Sequence, residues 1–245
     1  MTEVVCIGTS DAFGAGGRRQ SAYLVRGPSS SILLDCGVTT VTGLAFLGIE
    51  RNEIDAIVVS HFHGDHFGGI PAMLLAAMYG DVRRRPLDVA GPPGIEERVR
   101  NVAWALGHPI EGRELGFELR FRELPAGQRT PIAGFEVETF KTHHAPEACP
   151  HGVLCRTDGR AIAFSGDTGW FDELPARVAG ADLFLCECTQ DRRGYAYHLS
   201  LEELEPQRRA IDCGRIFLTH LGREMRERED YRGFEVADDG VVVKV

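Results

Sequence analysis

Short runs of apolar residues that end abruptly in polar residues recur along this chain and predict alternating strands and helices. Apolar and β-branched runs predict buried strands at residues 4–7, 22–26, 32–36, 57–59 and 87–90. Apolar residues at helical spacing predict helices between the strands, over residues 38–47, 71–78 and 95–106. Two more strands are predicted between residues 119 and 141. Because strand and helix signals alternate over the whole length, we expect a single α/β domain that spans residues 1–245.

Three histidines and an aspartate follow the strand at residues 57–59 within six positions: His61, His63, Asp65 and His66. His61 and His63 are two residues apart, so in a chain leaving a strand their imidazoles project to one side and can bind one ion. Gly64 lets the backbone turn sharply, so the second pair faces back toward the first. This spacing predicts two neighbouring metal ions. The alternative is a histidine-rich loop that caps the next helix, which leaves four ligand-type residues in six positions unexplained.

Three later strands also end in ligand-type residues. Residues 135–141 lead to His143 and His144, residues 162–165 lead to Asp167, and residues 216–218 lead to His220. If these strands lie side by side, their ends meet the first cluster in one cleft. Of the two adjacent histidines, His144 is the expected donor, because neighbours in an extended chain point apart. The predicted donors to two divalent ions are His61, His63, Asp65, His66, His144, Asp167 and His220.

These donors divide into two sets in the prediction. His61, His63 and His144 hold the first ion, the aspartate and histidine that follow Gly64 hold the second together with His220, and Asp167 bridges both. Neutral imidazole and carboxylate suit Zn²⁺, with Mn²⁺ or iron as alternatives.

Composition narrows the remaining classes of function. A net charge of −9 argues against a broad grip on nucleic acid. The seven cysteines lack the spacing of a disulfide framework, and neither a leader pattern nor a membrane-length apolar run is visible, so we expect a cytoplasmic protein without a membrane segment.

The glycine-rich residues 8–17 precede a strand rather than a helix, which disfavours a dinucleotide loop. Arg18 and Arg19 are either anion contacts or solvated charges. Arg83 to Arg85 are interpreted as a solvated loop, with contact to an anionic substrate as the alternative.

With these motifs in place, the chain resembles the metallo-β-lactamase-fold superfamily of metal-dependent hydrolases. The resemblance rests on Asp35-Cys36-Gly37, the His61-Phe62-His63-Gly64-Asp65-His66 motif, Ser165-Gly166-Asp167-Thr168-Gly169 and Thr219-His220. It implies a four-layer αββα sandwich, two metal ions at the strand ends and a bridging hydroxide as nucleophile.

Within the superfamily, the chain is most similar to the ribonuclease Z and phosphodiesterase-like branch, and His198 contributes to that likeness. Residues 145–166, only 22 residues, leave too little chain between two predicted donors for the long tRNA-clamping arm of many such nucleases, and His198-Leu199-Ser200 departs from their usual pattern. We therefore expect a small-molecule substrate rather than extended tRNA binding.

The expected reaction is hydrolysis of a phosphodiester, small or cyclic. Asp65 is expected to orient the hydroxide, and His198, just before a capping box at Ser200 and Glu203, is the candidate to meet the leaving oxygen. His198 is otherwise a residue that merely flanks a helix. A carboxylic ester, lactone or sulfate ester hydrolase and a non-catalytic metal-stabilised binding protein remain alternatives. A homodimer is the default assembly.

Overall fold

The computed structural model describes residues 2–245, which form fourteen strands in two sheets of seven. In chain order the strands are β1 (Glu3–Gly8), β2 (Ala22–Arg26), β3 (Ser31–Leu34), β4 (Ala56–Val58), β5 (Leu87–Gly91), β6 (Leu119–Glu123), β7 (Arg129–Ile132), β8 (Phe135–Lys141), β9 (His151–Thr157), β10 (Arg160–Phe164), β11 (Leu183–Glu187), β12 (Arg215–Thr219), β13 (Glu235–Val236) and β14 (Val242–Lys244). The first sheet has the order β14-β1-β2-β3-β4-β5-β6, and the second has the order β13-β12-β11-β10-β9-β8-β7.

Parallel pairing in one half of each sheet determines where functional side chains come together. In the first sheet β3, β4, β5 and β6 are parallel neighbours, and in the second β10, β11, β12 and β13 are. Parallel neighbours end at the same edge of a sheet, so residues that follow them are delivered together. The segments that follow β4, β10 and β12 carry most of the predicted donors.

Helices cover the outer faces of both sheets. They are α1 (Thr40–Phe46), α2 (Gly64–Phe67), α3 (Ile70–Leu75), α4 (Ile95–Ala105), α5 (Leu174–Val178), α6 (Leu201–Gln207) and α7 (Arg223–Arg226). A π-helical turn at Ala76–Gly80 continues α3, and short 3-10 turns lie at Ala15–Gly17, Arg51–Glu53 and Pro146–Ala148. Among the described residues, no helix combines the length and the apolarity that crossing a membrane requires.

The alternation of side chains in the strands produces three apolar layers. In β1, Val4 and Cys6 belong to the layer between the sheets, whereas Val5 and Ile7 face the layer under α1, α3 and α4. A third layer joins the outer face of the second sheet to α5, α6 and α7. The predicted four-layer αββα sandwich is therefore confirmed.

Two local predictions were wrong. Residues 119–141 contain three strands rather than two, because Ala133 and Gly134 both adopt left-handed φ, of 47° and 80°, and close a tight hairpin between β7 and β8. Left-handed alanine is uncommon, so this turn was not expected from the local pattern. Arg83 is not solvated: it is buried and donates hydrogen bonds to the carbonyls of Ile54 and Pro86.

Candidate metal centre

A cavity of about 380 Å³ opens where the strand ends of the two sheets meet. Its floor and walls come from both sheets and from the glycine-rich loop after β1. The residues that line it are Asp11, Ala12, Phe13, His63, Asp65, Asp167, Thr189, Gln190, Tyr195, His198 and His220. The structure thus brings residues more than 200 positions apart into one site.

The first cluster of donors joins the segment after β4 to the segment after β8. Nδ1 of His63 lies 3.2 Å from Nε2 of His61 and 3.1 Å from Nε2 of His144. Oδ2 of Asp167 lies 3.7 Å from Nε2 of His61 and 3.9 Å from Nε2 of His144. Three imidazole nitrogens and one carboxylate oxygen therefore converge on one point.

The second cluster lies beside the first and shares Asp167 with it. Nε2 of His66 lies 3.3 Å from Nε2 of His220, and Oδ2 of Asp65 lies 3.2 Å and 3.3 Å from these two nitrogens. Oδ1 of Asp167 lies 3.2 Å from Nε2 of His66. Because the two oxygens of Asp167 face different clusters, this carboxylate is placed between them.

Hydrogen bonds behind the clusters decide which nitrogen each histidine turns inward. Nδ1 of His66 donates to Oδ2 of Asp35 (2.6 Å), and Nδ1 of His144 donates to the carbonyl of Tyr197 (2.8 Å). Nδ1 of His220 lies 3.0 Å from the hydroxyl of Thr189. A neutral imidazole carries one proton, so a ring that donates through Nδ1 presents the lone pair of Nε2 to the cluster.

His61 is held in the same way through its neighbour. The Ser60 hydroxyl donates to Oδ2 of Asp35 (2.8 Å), so it can accept from Nδ1 of His61 at 3.0 Å. Asp35 therefore supports one histidine of each cluster. Its backbone has a left-handed φ of 59°, as does that of His220 at 51°, which is an uncommon conformation for residues other than glycine.

Divalent metal ions fit this arrangement of atoms. Lone pairs that face one another at 3.1–3.3 Å repel unless a proton or a cation lies between them. Oδ1 of Asp167 is buried and accepts no hydrogen bond from the described residues. Imidazole nitrogens with carboxylate oxygens are the donors that Zn²⁺ and similar ions prefer. All seven predicted donors belong to these two four-residue groups.

The charges in the clusters depend strongly on one another. Burial alone lowers the pKa of His66, but the carboxylates of Asp167, Asp65 and Asp35 outweigh it and raise that pKa well above its usual range. Burial raises the pKa of Asp167, yet His220 and His66 hold it well below the ordinary value. Burial and the charge of His66 lower the pKa of His61. Negative charge is thus concentrated around the second cluster, where a cation would replace protons.

His198 lies at the edge of the second cluster and has a buried partner that sequence reasoning missed. Its Nδ1 is 2.8 Å from Oε1 of Glu187, a fully buried carboxylate at the end of β11. Burial alone lowers the pKa of His198, but the charge of Glu187 raises it to about 9. The signal for Glu187 was present, because it ends an apolar strand just as the segments with the predicted donors do.

Other candidates from the sequence lie apart from the clusters. His143 is exposed. Arg18 pairs with Asp238 and Arg19 with Asp239, so carboxylates of the chain itself already occupy both guanidinium groups.

Comparison with known proteins places this geometry in a class. The chain superposes with a TM-score of 0.80 and 22% identity on the metallo-beta-lactamase fold protein YhfI from Bacillus subtilis, over all of both chains. It superposes with a TM-score of 0.79 and 24% identity on the short form of human tRNase Z, over 99% of this chain and 98% of that one. The chain therefore has the metallo-beta-lactamase fold.

The family follows from the sequence comparison. The family model described as Anti-Pycsar protein Apyc1 matches residues 2–237, and the chain belongs to this family. It is also 34% identical to ribonuclease Z of Lachnospira eligens over 146 residues, which are 59% of this chain and 46% of that protein. The chain thus aligns with about half the length of the first curated relatives that it matches.

Proposed function

We propose that this protein is a metal-dependent hydrolase that cleaves a small phosphodiester, including a cyclic one. The observation that carries the proposal is the convergence of two donor clusters across Asp167, with the His198–Glu187 pair beside them in one cavity. Because donors come from strand ends of both sheets, we treat residues 1–245 as one hydrolase domain.

The donors divide as their distances suggest. His61, His63 and His144 would hold one ion, Asp65, His66 and His220 would hold the other, and Asp167 would contact both. Zn²⁺ is the proposed metal, with Mn²⁺ or iron as alternatives. When bound, two such ions supply an activated water and positive charge for an oxygen of the substrate.

The protein's own residues would orient the water and protonate the leaving group. Asp65 lines the cavity and would accept a hydrogen bond from the attacking water. The water gives one proton to solvent as its oxygen forms a bond to phosphorus, and the bond to the leaving oxygen breaks with its electron pair. That leaving oxygen takes a proton from Nε2 of His198, because Nδ1 of this ring is engaged by Glu187. Burial lowers the pKa of His198, but the charge of Glu187 raises it to about 9, which favours a protonated ring at neutral pH before transfer.

The size of the cavity and the local chain path support a small substrate. Residues 145–166 are taken up by a short turn, β9 and β10, and no extended arm leaves the fold there. A cavity of about 380 Å³ is near the lower end of the range for small-molecule sites.

A substrate panel tests the proposal. The purified protein, loaded with Zn²⁺ or treated with chelator, is assayed on bis(p-nitrophenyl) phosphate, p-nitrophenyl acetate, an aryl sulfate and a set of lactones. We expect metal-dependent turnover of the phosphodiester. Turnover of another ester alone, dependent on metal, would contradict the phosphodiester assignment. Full metal content without turnover of any substrate would favour a non-catalytic protein.

A further inference from the structure

One loop of the second sheet carries three parts of the proposed active site. It leaves β11 and returns to α6, and its ends are pinned together, because Gln190 N–H donates to the carbonyl of Leu199 (3.2 Å) and Leu201 N–H donates to the carbonyl of Gln190 (2.9 Å). The loop, residues 191–198, supplies Tyr195 to the cavity wall, the Tyr197 carbonyl to His144, and the ring of His198.

The side-chain amide of Gln190 fills the inside of this loop. Tyr195 N–H donates to Oε1 of Gln190 (2.8 Å). Nε2 of Gln190 donates to the carbonyl of Tyr195 (3.0 Å) and to the carbonyl of His198 (3.3 Å). Residues 195–198 lie outside every helix and strand, so this one side chain supplies backbone contacts that regular structure does not.

We propose that Gln190 is a positioning residue, whose amide holds the 191–198 loop so that His198 faces the leaving group and the Tyr197 carbonyl orients His144. The catalytic part of this inference rests on the function proposed above, whereas the structural part does not. A displacement of about 1 Å at a proton donor can cost up to 100-fold in rate, so a single lost brace has a measurable effect.

A second wall of the cavity, the loop at residues 11–13, offers a control. Nε2 of Gln20 donates to the carbonyl of Ala12 in this loop (3.0 Å), and Oε1 of Gln20 accepts from Val38 N–H outside it (2.9 Å). That wall carries Phe13 but no proton donor that we assign to the reaction. Loss of the Gln20 hydrogen bonds should therefore change KM without changing how kcat depends on the acidity of the leaving group.

The first measurement is amide hydrogen exchange in the full chain, with and without Zn²⁺. Gln190→Met keeps the length of the side chain and removes its hydrogen bonds, and Gln190→Ala is the second variant. We expect exchange in residues 195–198 to become about fivefold faster or more, as the loss of one net hydrogen bond implies. Gln128→Ala, at an exposed glutamine between β6 and β7, should leave exchange in the loop unchanged.

The second measurement is kcat on aryl methyl phosphates whose leaving groups range from p-nitrophenol to unsubstituted phenol. In the Gln190 variants, kcat should fall about tenfold or more with phenol and little with p-nitrophenol, because only the poorer leaving group needs the proton. Gln20→Ala should raise KM similarly across the series. When Zn²⁺ is added to metal-free protein, the Gln190 variants should bind it more weakly than the unmodified protein, because the Tyr197 carbonyl no longer fixes His144.

The outcomes separate the two proposals. Unchanged exchange in the loop, or a dependence on the leaving group equal to that of the unmodified protein, would overturn the role of Gln190. If the unmodified protein cleaves none of these phosphodiesters, the proposed function fails, and loop exchange and zinc affinity alone decide for or against the brace.

Discussion

The floor of the cavity and its two walls are held in different ways. The floor consists of the seven donors in the two clusters, nearly all buried, and most of the histidines are fixed by a second hydrogen bond behind them. The walls are the loops at residues 11–13 and 191–198, where Phe13 is 92% exposed and Tyr195 is 59% exposed. A glutamine amide donates to the backbone of each wall, Gln20 to Ala12 and Gln190 to Tyr195 and His198.

In this arrangement the floor would carry out the reaction, and the walls would select the substrate. Buried donors with fixed lone pairs give the same centre to any substrate that reaches them, whereas exposed aromatic side chains contact what enters the cavity. Changes in the floor should therefore affect every substrate alike, and changes in the walls should depend on the substrate. The following predictions test that division, from the largest expected effect to the smallest.

Metal removal should have the largest effect, because it leaves lone pairs and carboxylates facing one another. Chelation should abolish turnover, and loss of ions present at about 1,000 times their Kd should cost about 4 kcal/mol of stability per site. Calorimetry should show a fall in Tm of about 10 °C or more for a domain of this size, and added Zn²⁺ should restore it. Unchanged Tm and turnover after chelation would contradict the metal centre.

The difference in Tm between loaded and metal-free protein should widen as pH rises. In the metal-free state the raised pKa of His66 means that its proton stabilises the fold below that pKa and is lost above it. Metal binding, in contrast, requires unprotonated histidines and strengthens with pH. The measurement runs from about pH 6, near the ordinary pKa of histidine, to about pH 9. A difference in Tm that narrows over this interval would contradict the prediction.

Asp167→Asn should come next, because it weakens the donor shared by both clusters while preserving its shape. We expect a loss of at least about 1,000-fold in kcat on every substrate, together with lower metal content by elemental analysis. Asp182→Asn is the matched control, since Asp182 pairs with Arg160 at the opposite end of β10 and β11. Equal effects of the two variants would place Asp167 outside the centre.

His198→Gln should have an intermediate and selective effect. This residue lies between floor and wall, so metal content should persist while kcat falls about 100-fold with phenol as leaving group and little with p-nitrophenol. Loss that is the same for both leaving groups would show that His198 is not the proton donor and would favour the alternative of a helix-flanking residue.

Phe13→Ala should give the smallest effect, a rise of a fewfold in KM with kcat and Tm unchanged, because the side chain is already exposed and packs against little. The rise should differ between substrates with and without an aromatic group. Phe46→Ala removes another exposed phenylalanine, one that does not line the cavity, and should leave KM unchanged.

Local sequence patterns predicted much of the fold and the candidate donors. They did not predict the hydrogen bonds that support those donors. The spacing from His61 to His66 and the apolar runs before Asp167 and His220 are readable within a few residues. Glu187 lies between two buried cysteines at the end of β11, where apolar neighbours are typical of core packing. Its role as partner of His198 became visible only in the path of the loop after β11, which brings His198 back to it.

The sequence by itself determined the alternation of strands and helices and the types of donor, because apolar periodicity and ligand spacing are short-range properties of the chain. The layered architecture was only implied by the family resemblance. Only the tertiary structure decided which nitrogen each histidine presents, that the two oxygens of Asp167 face different clusters, and that Gln190 braces the loop of His198. Those features depend on distances between residues that are far apart in the chain or on the path of an irregular loop, and neither composition nor periodicity encodes such distances.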